Sequence, residues 1–178
     1  MSLKKQIDFL SETTYFTVSE IEFILEKIGI TGQKNHQYIS RKVFEKQLNF
    51  PKNVAEFISN WLFHSQRREE IHFTELLRIL SSLSSRATVH EKSNACFQVF
   101  DLDCDGKISK EDIINATEKI LCDSEIITMN EMNEIINNTF NQIDEDHDGY
   151  ATPKDFEKAA NENENMLGFI TFDLFDIF

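Results

Sequence analysis

Two twelve-residue stretches limit what this chain can become. Residues 101–112 read Asp-Leu-Asp-Cys-Asp-Gly-Lys-Ile-Ser-Lys-Glu-Asp, and residues 144–155 read Asp-Glu-Asp-His-Asp-Gly-Tyr-Ala-Thr-Pro-Lys-Asp. Both place Asp at positions 1, 3 and 5, Gly at 6, an oxygen side chain at 9 and a carboxylate at 12. Three carboxylates at alternate positions repel one another unless a cation lies between them, and hard divalent cations take oxygen ligands in this spacing. The expected ligands of one ion are Asp101, Asp103, Asp105, the Lys107 carbonyl, Ser109 and Asp112. Those of a second are Asp144, Asp146, Asp148, the Tyr150 carbonyl, Thr152 and Asp155. Gly106 and Gly149 permit the sharp turn that a side chain would strain. Ile108 and Ala151, at position 8, are placed to form a short β-bridge between paired loops.

Helical patterns flank both loops. Ala95, Phe97, Val99 and Phe100 precede the first, and Ile113, Ile114 and Ile120 follow it. Ser109 with Asp112 three residues on resembles a capping box. Met132, Ile135, Ile136, Phe140 and Ile143 recur at helical spacing before the second loop. After it, Thr152 is a fair N-cap, with Pro153 at the first helical position, and Phe156, Ala159 and Ala160 follow. Helix, acidic loop and helix together resemble the EF-hand superfamily. That family carries Glu at position 12, bidentate to Ca²⁺, whereas Asp112 and Asp155 are one methylene shorter. The shorter arm favours six-coordination, so the expected cofactors are two Ca²⁺ ions of modest affinity, with Mg²⁺ as the alternative in one or both sites.

The pattern repeats upstream without its acids. Residues 64–75 keep Ile71 at position 8 and Glu75 at position 12, but put His64, Gln66 and Arg68 at positions 1, 3 and 5. Val54, Phe57, Ile58, Trp61 and Leu62 lie before this loop, and Leu76, Leu77, Ile79 and Leu80 after it. A further loop starting at Gly32 would place Ile39 at position 8 and Phe44 at position 13, after a helix carrying Val18, Ile21, Ile24, Leu25 and Ile28 capped by Thr17. The expected fold is all-α: four EF-hands in two paired lobes, with short β-bridges and an apolar C-terminal tail or helix. The expected divisions are 1–87, with two degenerate hands; 88–162, with two metal-binding hands; and 163–178, the tail.

Charge separates along the same line. The net charge is −13. Residues 1–89 hold 12 basic against 10 acidic side chains, and residues 90–178 hold 6 against 21. Such a field repels nucleic-acid phosphates and anionic lipid, and attracts cations and basic segments. The stretch 166–178 has nine large apolar residues in thirteen, so it must dock on this chain or on a partner. Asp173 and Asp176 are its only charges, which argues against a membrane anchor. No long apolar run follows Met1 to Gln6, so a secretory signal is not expected, and the three Cys read as cytosolic thiols. Phosphate-loop, nucleophile-elbow and zinc-protease motifs are absent from the sequence, so an enzyme is not expected. A redox-sensing role for Cys104 is the minor alternative.

The whole chain resembles the EF-hand branch holding the calcineurin B-like proteins, the neuronal calcium sensors, the calcium-and-integrin-binding proteins and the calaxins. The residues that carry the resemblance are Cys96 to Glu111, the long link between the last two loops, and the apolar tail. The start Phe16-Thr-Val-Ser-Glu-Ile and the tail start Met166-Leu-Gly-Phe are similar to the calaxins. The resemblance implies a cytoplasmic regulator, ciliary or axonemal in the calaxin case, that grips a helical or extended segment of a larger protein. It would act as a monomer or as a subunit of a hetero-complex. The rival readings are a pure ion buffer and a constitutive docking subunit, for instance of outer-arm dynein, with permanently bound Mg²⁺ or Ca²⁺.

Overall fold

The computed structural model describes residues 1–30, 37–47, 52–65, 68–121 and 128–167. The helices among them, in chain order, are α1 (Leu3–Thr13), α2 (Val18–Lys27), α3 (Arg41–Gln47), α4 (Lys52–Ser59), α5 (Phe73–Ser82), α6 (Val89–Phe100), α7 (Lys110–Leu121), α8 (Met129–Ile143) and α9 (Pro153–Glu162). A π-helical turn, Asn60–Ser65, prolongs α4, and a 3₁₀ turn, Glu164–Leu167, follows α9. Strands β1 (Tyr38–Ser40) and β2 (Glu70–His72) pair antiparallel, as do β3 (Ile108–Ser109) and β4 (Tyr150–Ala151). Their registers set Ile39 opposite Ile71 and Ile108 opposite Ala151. These are the position-8 residues of the four hands, so the all-α fold with paired hands and short bridges stands as expected from the sequence.

Local chemistry starts four of the helices, two of them at the Thr17 and Thr152 caps expected from the sequence. Thr17 with Glu20, Thr88 with Glu91, Thr128 with Glu131 and Thr152 with Asp155 each close a capping box. In a capping box the N-cap hydroxyl accepts the N3 amide and the N3 carboxylate accepts the N-cap amide, which satisfies two otherwise unpaired donors. Helix α2 ends at Gly29, whose φ of 74° lets the Ile30 amide turn back to the Leu25 carbonyl at 2.8 Å.

One hydrophobic core runs through both lobes, from Ile7 in α1 to Leu167 after α9. Phe57 of α4 meets Phe100 of α6 at a ring separation of 5.8 Å, and Phe97 meets Phe156 of α9 at 6.0 Å. Each such buried aromatic removes enough apolar surface from water to stabilise the fold by roughly 1.5–3 kcal/mol. A polar contact joins the lobes as well: the Tyr15 hydroxyl donates to Glu91 Oε2 at 2.6 Å. Within the first lobe, Arg86 donates to both carboxylate oxygens of Glu20.

Four details differ from the sequence reading. Helix α1 was not expected; it buries Ile7 and Leu10 against the first lobe. The π turn at Asn60–Ser65 breaks the regular helix before the silent second loop. Ile135 is 43% exposed and Val18 is 40% exposed, so neither belongs to the core stripe on which periodicity placed it. Residues 31–36, including the loop start at Gly32, lie outside the described residues, as do Gln66 and Arg67, residues 122–127 with Cys122, and the tail from 168; the side chains of Val54, His64 and Ile120 do too. Met166 and Leu167, the first residues of the apolar stretch, pack on the core of this chain.

The silent second hand holds its own cation. Arg68, at position 5, donates through Nη1 to Glu75 at position 12 and through Nε to the Leu62 carbonyl at 2.6 Å. Its backbone amide bonds the Phe63 carbonyl at 2.9 Å.

Candidate metal centre

Each acidic loop begins at the last turn of a helix. Asp101 caps α6 and Asp144 caps α8, their amides bonding the Phe97 and Phe140 carbonyls at 2.9 Å. The carboxylates then fold back over the turn. Asp101 accepts from the Asp105 amide at 3.0 Å and from the Gly106 amide at 3.0 Å. Asp144 accepts from Asp148 at 3.2 Å and from Gly149 at 3.1 Å. Asp103 and Asp146 accept from the same position-5 amides at 3.2 Å. Position 5 closes the ring: Asp105 accepts from Lys107 and Asp148 from Tyr150, both at 2.9 Å.

The backbone pays a conformational cost for this curl. Cys104 and His147, at position 4, are left-handed with φ of 61° and 56°, and Gly106 and Gly149 follow at 86° and 92°. Open space surrounds both glycines, so backbone conformation alone demands a glycine at position 6.

The outcome is two triads. Asp101, Asp103 and Asp105 bring carboxylate oxygens within 4.8 Å of one another, and so do Asp144, Asp146 and Asp148. Asp101 and Asp144 are buried, and the other four are exposed. Burial pushes the Asp101 carboxyl above the usual carboxylate range; the Gly106 and Asp105 amides oppose that shift, and the charges of Asp105 and Asp103 add to it. In the ion pairs formed among the described residues, no triad carboxylate takes part. Oxygen-only donors, crowded, partly buried and without a basic partner, fit a hard divalent cation.

Position 12 stands apart. Asp112 Oδ2 accepts from the Ser109 amide at 2.8 Å and the Ser109 hydroxyl at 2.6 Å. Asp155 Oδ2 accepts from the Thr152 amide at 2.9 Å and the Thr152 hydroxyl at 2.6 Å. These hydrogen bonds hold the Asp155 carboxyl below the usual range. Each position-12 side chain thus commits one oxygen to starting its helix, and neither belongs to a triad. Positions 1, 3 and 5 are brought together; positions 9 and 12 form a separate pair beside them.

Two features escaped the sequence reading. The Lys107 ammonium lies over the Tyr150 ring, 4.6 Å from its centroid. The Arg68–Glu75 pair in the silent loop is the other, although a base at position 5 with an acid at position 12 was a visible signal. Burial pushes Cys96 up to about 12, and burial with the neighbouring Asp101 and Asp103 raises Cys104 as well. Among the described residues, no helix is long and apolar enough to cross a membrane.

Comparison with known proteins agrees with this geometry. Residues 90–161 match the EF-hand domain pair family. The chain is 28% identical to calaxin of Xenopus laevis over 177 residues, covering 93% of this chain and 85% of that protein. The C-terminal half thus matches an EF-hand domain pair, and the chain as a whole is similar in sequence to calaxin.

Proposed function

We propose that this chain is a Ca²⁺-binding regulatory protein. The triads of the C-terminal lobe, with positions 7, 9 and 12 completing each ligand set, hold two ions. The silent N-terminal lobe gives a metal-independent grip on a helical or extended segment of a larger protein. The organisation that serves this is 1–87, 88–162 and the tail from 163. The observation that carries the reading is the pair of oxygen triads on loops joined by one bridge. The likeness to calaxin supports a ciliary or axonemal setting and a partner within a large assembly, and the chain is not itself a catalyst.

Titration of Ca²⁺ against physiological Mg²⁺, with a dye that lights up on apolar surface, tests the reading. A regulator exposes surface on Ca²⁺ addition. A second reading is favoured by Asp112 and Asp155, each with one oxygen already committed to a helix start. That arrangement suits six-coordinate Mg²⁺ and a docking subunit that stays loaded, and such a protein shows no change in the same titration.

A further inference from the structure

A histidine starts helix α5. His72 closes β2 as the partner of Tyr38 in β1, and it is the N-cap of α5. Its Nδ1 accepts the Thr74 amide at 3.3 Å and lies 2.7 Å from the Thr74 hydroxyl. A nitrogen that accepts an amide carries no proton of its own, so the ring hydrogen sits on Nε2. Nε2 faces the Gln37 side-chain oxygen at 3.3 Å. Gln37 in turn donates to Gln6 of α1 at 3.4 Å, and its backbone carbonyl accepts the Phe73 amide at 2.9 Å. One neutral imidazole thus stands at the meeting point of α1, β1 and α5. The residues that follow it are core: Phe73, Leu76 and Leu77 are fully buried.

We propose that His72 is a proton-sensitive cap: one proton on Nδ1 unseats the start of α5 and loosens the β1–β2 bridge beside the silent loop. A protonated Nδ1 still donates to the Thr74 hydroxyl, but the Thr74 amide loses its acceptor. The new charge lies at the positive end of a helix dipole. Burial disfavours the cation too, and it holds the imidazole below its ordinary range. Among the groups around the ring, α5 offers Glu75, whose charge favours the cation but is already engaged by Arg68. From β1 the Tyr38 phenol ring meets it edge-on at 5.1 Å, and from α1 the neutral Gln6 reaches it through Gln37. Glu70 is the charged residue of β2 itself, two positions before. A depressed folded pKa means that the cap contributes fully above the unfolded value of about 6.5 and is lost as pH falls through the folded one. The device is independent of any ion in the acidic loops.

The test uses the full chain with a chelator present. NMR of the histidine rings is expected to show His72 as the Nε2–H tautomer at pH 7.5. Its titration midpoint should lie below that of an exposed histidine, and the Thr74 amide should shift along with it. Chemical denaturation then compares the wild type with His72→Asn, since asparagine is a strong N-cap that takes up no proton. Between pH 7.5 and 5.0 the folding constant of the wild type is expected to fall about fivefold more than that of the variant, the size of a lost cap. An equal fall in both overturns the proposal. So does an Nδ1–H tautomer at pH 7.5, or a midpoint at or above the ordinary value. Those two readings come from the wild type alone, and they decide the matter if the variant does not fold.

Discussion

The silent loop at 64–75 and the acidic loop at 101–112 have the same plan and opposite electrostatics. Both lie between helices, and both present an isoleucine at position 8 to a neighbouring strand. At position 5 one carries Arg68 and the other Asp105. Arg68 brings a guanidinium into its own loop, bonding the position-12 carboxylate of Glu75 and the Leu62 carbonyl. Asp105 brings another negative charge to a ring that already has two. A hand of this shape needs a positive charge near its acids. One loop has it covalently, and the other must draw it from solution. In the second hand that positive charge is supplied by Arg68 of the chain itself.

The largest expected effect breaks the acidic side of this comparison. Asp101→Ala and Asp144→Ala each remove the buried first carboxylate of a triad, and each should lower affinity at its own site by roughly 100-fold or more, read by calorimetry. Should both variants bind two ions as the wild type does, the ligand assignment is wrong. Chelation sharpens the contrast next. Hydrogen exchange in a strong chelator should leave the amides of β1 and β2 protected and speed exchange at β3 and β4 by tenfold or more, about 1.4 kcal/mol of local stability. Equal loss at both bridges would mean that the silent hand is not self-sufficient.

Arg68→Met is the reciprocal change. It should cost about 1 kcal/mol of stability with or without Ca²⁺, because the pair it breaks is partly exposed. Gly106→Ala should cost a similar amount, about 1 kcal/mol, since φ is 86° there and the surroundings are open. Chemical denaturation measures both.

The smallest effect concerns Tyr15. The hydrogen bond to Glu91 holds its phenol above the ordinary tyrosine range. A raised folded pKa means the contact contributes fully below the unfolded value of about 10 and is lost as pH climbs through the raised one. Between pH 6 and 9 its contribution should stay flat. Alkaline absorbance titration should show a late tyrosine phase, and Tyr15→Phe should abolish it.

Much of this architecture was legible in the residues. The loop register, the position-8 pairing and the threonine-led helix starts follow from local rules that act over a few positions, so sequence carries them. Ser109 with Asp112 and Thr152 with Asp155 are such cases. What sequence did not carry depends on contacts far along the chain. Helix α1 is stable because Ile7 and Leu10 find a groove built from later elements. Ile135 fits the helical stripe, yet faces outward because α8 meets its neighbours through Ile136, Phe140 and Ile143. The stack of Lys107 on Tyr150 joins residues 43 positions apart, and no local pattern announces it. The separation of position 12 from the triads was half visible. A shorter side chain reaches less far, but its engagement with the helix start needed coordinates.

A single oxygen of Glu91 shows why the molecule resists dissection. Glu91 Oε2 accepts from the Thr88 amide, the Thr88 hydroxyl and the Tyr15 phenol, so one atom both starts α6 and receives the first lobe. A fragment cut at residue 88 would keep every acidic loop residue and still lose that phenol, along with the Phe57 ring that Phe100 leans on. Helix α6, which ends in Asp101, would then be loosened at both ends. An isolated C-terminal half should bind ions more weakly than the intact chain, and affinities measured on such a piece will understate the protein it came from.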